Sequence, residues 1–87
     1  MGRVQDKVAL VTGGASGLGK ADCLLLAEEG AKVAIADIDI AGATALAEQI
    51  GEAAIAIKLD VSSETDWKAA LATVKERFGG LNILVNN

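Results

Sequence analysis

A glycine-rich turn at residues 13–19 combines residue types and spacing that suit a chemical task. Its sequence is Gly-Gly-Ala-Ser-Gly-Leu-Gly, and it joins an apolar run to a segment with helical periodicity. The backbone N–H groups of such a turn, together with the partial positive charge of a helix N-terminus, can hold a polyphosphate. Gly13 and Gly17 allow a sharp turn and close approach by a ligand, and Gly19 allows close packing of the helix on a sheet. The turn therefore predicts a nucleotide site.

Polar residues also stand at the ends of the other predicted strands. Asp37 follows the turn by eighteen residues, and a carboxylate there can accept from both hydroxyls of an adenosine ribose while repelling a 2′-phosphate. Asp60–Val61 end the third strand, where an acceptor can meet the amino group of adenine, and Asn86–Asn87 end the fourth. Each of these residues also has a purely structural interpretation. Either carboxylate can cap a helix or lie in a solvated loop, and the first asparagine can satisfy backbone groups near the turn.

Apolar runs and helical segments alternate along the whole chain, which predicts an α/β fold. Four strands and three helices predict a parallel sheet with right-handed crossovers and the strand order 3-2-1-4. We expect residues 1–87 to form one domain, a three-layer, doubly wound sheet. Ligands of such sheets bind at the carboxyl ends of the strands, where the strand order reverses. The predicted strands are Lys7–Thr12, Lys32–Ala36, Ala53–Leu59 and Leu81–Val85.

Three helical segments connect these strands. The first spans Gly17–Glu29, Asp39 caps the second, and Ser62 or Ser63 caps the third. Right-handed crossovers place the first two helices on one face of the sheet and the third alone on the other. The residues of the first helix that we expect to face the sheet are Leu18, Ala21, Leu24 and Leu25.

The fourth strand is an apolar edge in this topology. Ile83, Leu84 and Val85 have a neighbouring strand on one side only in the predicted sheet, and a single helix cannot cover one face of four strands. An uncovered apolar edge favours pairing with another chain. We therefore expect the chain to form a homo-oligomer through this edge or through the under-covered face.

Composition excludes several classes of partner and site. The net charge is −4 and no basic block occurs, which argues against nucleic acid or an anionic membrane as a partner. A single cysteine excludes an intramolecular disulfide and a zinc-finger type of metal site. The polar segment 1–7 is unlike a secretory signal, and the apolar runs are shorter than a membrane span. These features favour a cytoplasmic setting and no metal.

A second phosphate-binding motif overlaps the glycine turn. Residues 14–20 fit the phosphate-loop pattern G-x-x-x-x-G-K, whose next position must supply a hydroxyl for magnesium. Ala21 occupies that position and offers no metal ligand. A phosphate-loop type of phosphate binder therefore remains a remote alternative, and nucleotide hydrolysis is disfavoured.

Four motifs in order resemble the N-terminal part of the classical short-chain dehydrogenase/reductase family. Residues 12–19 are similar to its T-G-x-x-x-G-x-G turn, Asp60–Val61 to its adenine-side D-V pair, and residues 84–87 to the start of its N-N-A-G motif. The resemblance covers essentially the whole chain and implies a Rossmann-like fold. It also implies a role for individual residues in holding a dinucleotide cofactor.

The resemblance places the cofactor along the whole edge of the sheet. Asp37 is implied at the adenosine ribose, Asp60 and Val61 around the adenine, and Asn87 at the cofactor's ribose. Family members that prefer NADP carry a basic residue where this chain has Ser16 and Ile38, so NAD is favoured. The residues implied at the pyrophosphate are Gly13, Ser16, Gly17, Leu18 and Gly19.

Catalytic residues of that family are not among these 87. Its Ser, its Tyr-x-x-x-Lys pair and a further Asn follow the N-N-A-G motif, and this sequence contains no Tyr and no His. We therefore expect the adenosine half of an NAD-dependent alcohol dehydrogenase or carbonyl reductase, without hydride transfer by this polypeptide alone. The alternative is a self-assembling α/β module, paired through the fourth strand, with little or no nucleotide binding.

Overall fold

The computed structural model describes residues 3–87, and Met1 and Gly2 of the predicted polar N-terminal segment lie outside them. Strands and helices alternate, as the sequence predicts. Four parallel strands form one sheet in the order β3-β2-β1-β4, which confirms the predicted topology. The elements are β1 (Val8–Thr12), α1 (Gly17–Glu28), β2 (Lys32–Asp37), α2 (Ile40–Ile50), β3 (Ala54–Lys58), α3 (Glu64–Phe78) and β4 (Ile83–Asn86).

The central strand β1 aligns the carboxyl ends of its two neighbours. All five of its residues are buried, as expected for a strand covered on both faces. Thr12 stands opposite Ala36 of β2 and opposite Asn86 of β4. The residues that follow these strands therefore emerge side by side at one edge of the sheet.

Helices cover both faces of the sheet and produce three layers. On one face, Cys23 of α1 and Leu46 of α2 pack with β-strand residues such as Ile35. On the other face, Ala70 and Val74 of α3 pack with residues of β1, β2 and β3. The predicted distribution of helices, two on one face and one on the other, is confirmed.

Side-chain caps fix where the second and third helices begin. Asp39 accepts a hydrogen bond from the backbone N–H of Gly42, and Ser63, rather than Ser62, accepts from that of Asp66. Each bond satisfies a backbone donor that has no partner inside the helix. None of the helices in residues 3–87 combines the length and hydrophobicity that a membrane span requires.

The prediction for the buried face of α1 is wrong for three of its four residues. Leu18 is 72% exposed and Leu25 is 58% exposed, whereas Gly19 and Cys23 are buried against the sheet. Ala21 is exposed as well, whereas Leu24 is half-buried and packs against the core cluster, as predicted. The reason is close packing: the helix lies so near the glycine turn that its small residues, four apart, form the contact face. Leu18 and Leu25 are thereby rotated outward.

Candidate functional site

A cavity of about 220 Å³ lies at the carboxyl ends of the strands. It gathers predicted site residues from all four strand ends, which lie far apart in the sequence. The remaining predicted residues, 16–19, lie in the adjoining turn and the first turn of α1, outside the cavity wall. The residues that line the cavity are Gly13, Asp37, Ile38, Leu59, Asp60, Val61 and Asn87.

The glycine turn has the backbone conformation that its sequence predicts. Gly13 and Gly17 have φ values of +62° and +56°, a region that side chains with a Cβ rarely adopt. A Cβ on Gly19 would overlap the carbonyl of Gly13, so only glycine fits there. A Cβ on Gly17, in contrast, would have no atom within 4 Å. The turn is therefore packed tightly on its inner side and open on the side where a ligand can approach.

The N-terminus of α1 has no side-chain cap. Ser16 occupies the N-cap position but accepts no hydrogen bond through its side chain, unlike Asp39 and Ser63 at the other two helices. The first backbone N–H groups of a helix have no partner within it, and an anion is a suitable acceptor for them. The structure thus leaves donors available at the helix end where the sequence predicts a pyrophosphate.

Asp37 connects the end of β2 to the glycine turn. Its Oδ2 accepts a hydrogen bond of 3.0 Å from the backbone N–H of Ala15, and its Oδ1 accepts one of 2.9 Å from that of Asp39. A carboxylate has about four acceptor sites, so both oxygens can accept further bonds from a ligand. Asp37 is therefore held in a fixed orientation with acceptor capacity left on the cavity side.

Asp60 is organised by the residues that follow it. Its Oδ1 accepts hydrogen bonds from the hydroxyl of Ser62 at 2.6 Å and from the backbone N–H of Ser62 at 2.9 Å. These bonds, the hydroxyl first, stabilise the carboxylate and lower the pKa of Asp60 below its usual value. Asp60 is therefore ionised at neutral pH and is an acceptor for an amino group.

Thr12 joins β1 to the two asparagines of β4. Its side chain is fully buried, and its hydroxyl donates to Oδ1 of Asn86 at 3.0 Å while accepting from the backbone N–H of Asn87 at 3.0 Å. The side-chain amide of Asn87 also donates to the carbonyl oxygen of Thr12 at 3.0 Å. The structural interpretation of Asn86, that it satisfies a backbone group near the turn, thus applies to Asn87, which donates to the carbonyl oxygen of Thr12. Asn86 instead accepts a hydrogen bond from the Thr12 hydroxyl.

Three contributors to the site were missed by sequence reasoning. Thr12 fastens β4, and Trp67 donates from its indole to the carbonyl oxygen of Val61. Gly14 is closely packed, because a Cβ there would meet Ile35 at 2.8 Å and Cys23 at 3.1 Å. A signal existed only for Thr12, a hydrogen-bonding side chain at the end of a strand predicted to be buried.

Other titratable groups do not point to a second chemistry. Burial, together with the charge of Asp22, raises the pKa of the Cys23 thiol to about 11, so it is protonated at neutral pH. Within residues 3–87, no group of three or more His, Cys, Asp or Glu side chains could hold a metal ion. The groups that the described site offers are backbone donors and carboxylate acceptors.

Comparisons with known proteins agree with this arrangement. The chain is 54% identical over 85 residues to 3-beta-hydroxysteroid dehydrogenase of Comamonas testosteroni, covering 98% of this chain and 34% of that protein. It is equally identical over 85 residues to galactitol 2-dehydrogenase of Agrobacterium fabrum, covering 98% of this chain and 33% of that protein. The chain thus spans about a third of the length of these relatives.

A solved structure shares the fold. The crystal structure of 3-ketoacyl-(acyl-carrier-protein) reductase from Brucella melitensis, complexed with NADH, matches with a TM-score of 0.90 and 45% identity. The match covers 92% of this chain and 33% of that one. The family model of the short chain dehydrogenases matches residues 7–87. The chain therefore belongs to the short chain dehydrogenase family.

Proposed function

We propose that these 87 residues bind the adenosine diphosphate part of NAD. The observation that carries the proposal is the cavity at the sheet edge, where the glycine turn, Asp37 and Asp60 meet. Family membership and the NADH-bound structural relative support a nicotinamide dinucleotide and disfavour the phosphate-loop alternative. The residues fit such a group, because the uncapped end of α1 offers donors and the space beside Gly17 is open.

In this proposal each group of site residues binds one part of the cofactor. The backbone of Gly13, Ser16, Gly17, Leu18 and Gly19 holds the pyrophosphate, and Asp37 accepts from the ribose hydroxyls. Asp60 and Val61 border the adenine, Asp60 accepting from its amino group. Asn87 lies at the cofactor's ribose. Asn87 is supported by its place in the cavity wall and by its bond to Thr12.

Preference for NAD over NADP follows from charge in the same proposal. A 2′-phosphate placed at Asp37 would meet a fixed carboxylate. Neither Ser16 nor the exposed Ile38 supplies a cation that could compensate for this repulsion. Like charges in close contact disfavour binding, so NADP binds more weakly.

The reaction of the whole protein is proposed by analogy with relatives. Relatives are named as dehydrogenases and reductases of alcohols and ketones, which supports hydride transfer between an alcohol or carbonyl compound and the cofactor. When bound, the nicotinamide accepts or supplies the hydride. These 87 residues contain no Tyr and no His, so we expect them to bind cofactor without turning it over.

The single buried thiol of Cys23 suits a reducing, cytoplasmic setting.

Amide NMR of the isotope-labelled chain tests the proposal. Addition of NAD should shift the backbone resonances of residues 13–19, Asp37 and Asp60, and an equal concentration of NADP should shift them less. Dispersed resonances that do not move at millimolar NAD would overturn the proposal. Hydride transfer to NAD from an alcohol by the pure chain would overturn the statement on turnover.

A second proposal concerns assembly through β4. Leu84 is 53% exposed, and within residues 3–87 no strand pairs with the outer edge of β4. We infer that this edge pairs with a second copy, giving a continuous sheet across two chains. Sedimentation equilibrium should show a dimer that Leu84→Lys converts to a monomer. A wild-type chain that stays monomeric at high micromolar concentration would contradict this.

A further inference from the structure

The loop after β3 is fastened by two consecutive residues of α3. The backbone N–H of Asp60 donates to Oδ2 of Asp66 at 2.9 Å. The indole Nε1–H of Trp67 donates to the carbonyl oxygen of Val61 at 2.8 Å. The first turn of α3 therefore binds the backbone of Asp60 and Val61, two of the three loop residues that line the cavity.

Trp67 itself is anchored in the core. Its ring is half-buried and packs against the cluster that contains Leu59, Ala70 and Val74. Its backbone N–H donates to the carbonyl oxygen of Ser63 at 3.1 Å, inside the first turn of α3. The packing of the ring thus joins the carbonyl group of Val61 to the core through a solvent-exposed hydrogen bond.

The fastened loop has little other support on its outer side. The Val61 side chain is 54% exposed, and Ser62 is exposed as well. Among residues 3–87, the carboxylate of Asp60 accepts hydrogen bonds only from Ser62, which belongs to the same loop. A displacement of the loop would therefore carry Asp60, Val61 and Ser62 together, and the contacts with Asp66 and Trp67 oppose it.

We propose that Trp67 is a positioning residue that sets the selectivity of the cavity for its base. It holds the carbonyl of Val61, and Asp66 holds the N–H of Asp60, so that the Asp60 carboxylate meets an amino group. This inference rests on the proposed function. A hypoxanthine base presents an oxygen in place of the adenine amino group, and the oxygen is repelled by a carboxylate that accepts only.

The test compares two dinucleotides that differ only at one edge of the base, where hypoxanthine carries a carbonyl oxygen in place of the amino group and an N1–H in place of the N1 acceptor. Affinities for NAD and for nicotinamide hypoxanthine dinucleotide are measured by calorimetry for the wild-type chain and for Trp67→Phe, which keeps an aromatic ring but removes the donor. The wild type should prefer NAD. In Trp67→Phe the affinity for NAD should fall about fivefold, as for one lost hydrogen bond, with little change for the hypoxanthine analogue. The ratio of the two affinities therefore falls.

Phe78→Leu is the matched control, because Phe78 packs against the same core cluster and lies at the other end of α3. It should lower stability and leave the ratio unchanged. Asp66→Ala is the second variant and should lower the ratio in the same direction as Trp67→Phe. Asp66→Ala keeps the indole of Trp67, so it can test the proposal if Trp67→Phe fails to fold.

The outcomes separate this inference from the function on which it rests. A wild-type chain that binds neither dinucleotide overturns the proposed function. A wild-type chain that binds NAD, together with variants that keep the full NAD preference, overturns the role of Trp67 alone. Equal wild-type affinities for the two dinucleotides also overturn it, because no selectivity would exist for the indole to set.

Discussion

The carboxylate of Asp37 accepts a hydrogen bond from the backbone N–H of Ala15, so the ribose end and the pyrophosphate end of the site share one contact. A second bond, from the N–H of Asp39, fixes the other carboxylate oxygen. The acceptor is thus oriented before any ligand arrives, which lowers the entropy lost on binding. A change in the conformation of the glycine turn would therefore also move the Asp37 carboxylate, which is the acceptor proposed for the ribose.

Asp37→Asn should weaken NAD binding and reduce the preference for NAD over NADP. The amide loses the negative charge and one acceptor, and hydrogen bonds to charged groups contribute about 1.5–3 kcal/mol, roughly a ten- to hundredfold change in affinity. The affinity for NADP should fall less, because the repulsion of the 2′-phosphate disappears. Calorimetric titration with both cofactors measures the ratio.

Asp39→Asn is the control for that variant. It removes the same charge two residues away, where the side chain caps α2 through Gly42. Asn is also a good N-cap, so stability should change little. The ratio of NAD to NADP affinity should remain near the wild-type value; an equal fall in both variants would show that general charge, rather than contact with Asp37, sets the preference.

Gly17→Ala should reduce NAD binding more than its effect on folding explains. Its φ of +56° costs an L-residue about 1–2 kcal/mol, and the added methyl group would stand in the open space beside the turn. Gly79→Ala is the matched control, since Gly79 has a φ of +87°, the same free space and a place far from the cavity. Urea unfolding should give similar losses for the two variants, and only Gly17→Ala should lose affinity. Equal NAD affinity in both would contradict an approach of the ligand at Gly17.

Much of this fold is predictable because its local signals are strong. The strands are unbroken apolar runs, and Asp39 and Ser63 mark helix starts by side-chain chemistry that acts within three residues. Alternation of strands and helices then leaves few topologies. The predicted site residues meet at one edge because parallel strands place their carboxyl ends together.

The features that escaped prediction depend on contacts between distant residues. Hydrophobic periodicity assumes that the largest side chains of α1 are buried, but the carbonyl of Gly13 beside Gly19 requires the small residues to face inward. The hydroxyl of Thr12 accepts a hydrogen bond from Asn87, 75 positions later, and no local sequence pattern predicts such a pair. The bond from Trp67 to Val61 likewise depends on how α3 packs on the sheet.

Thr12→Val should loosen β4 from the sheet. The substitution keeps the shape of the buried side chain but removes the hydroxyl, leaving the backbone N–H of Asn87 without its acceptor. Because Asn87 is exposed, water can replace that acceptor, so the expected cost is that of one ordinary hydrogen bond, about 0.5–1.5 kcal/mol. Urea unfolding measures the loss, and amide hydrogen exchange should accelerate most at Asn87. Thr12→Ser keeps the hydroxyl and should preserve the protection of Asn87 despite its lost methyl group; equal exchange in both variants would contradict the proposed role of the hydroxyl.

Ser62→Ala should raise the pKa of Asp60 toward the ordinary value of an aspartate. The Ser62 hydroxyl is the main cause of the lowered pKa, and the backbone N–H of residue 62 remains in the variant. A carboxyl whose pKa is lower in the folded than in the unfolded chain stabilises the fold above its unfolded pKa, and this contribution is lost as the pH falls through the folded pKa. The wild-type chain should therefore be more stable than Ser62→Ala at neutral pH, and the difference should vanish in acid. Carboxyl-carbon NMR titration gives the pKa directly. Ser63→Ala, the same substitution one residue later, weakens the cap of α3 but should leave the pKa of Asp60 unchanged; an equal shift in both variants would show that loop order, rather than the Ser62 hydroxyl, lowers it.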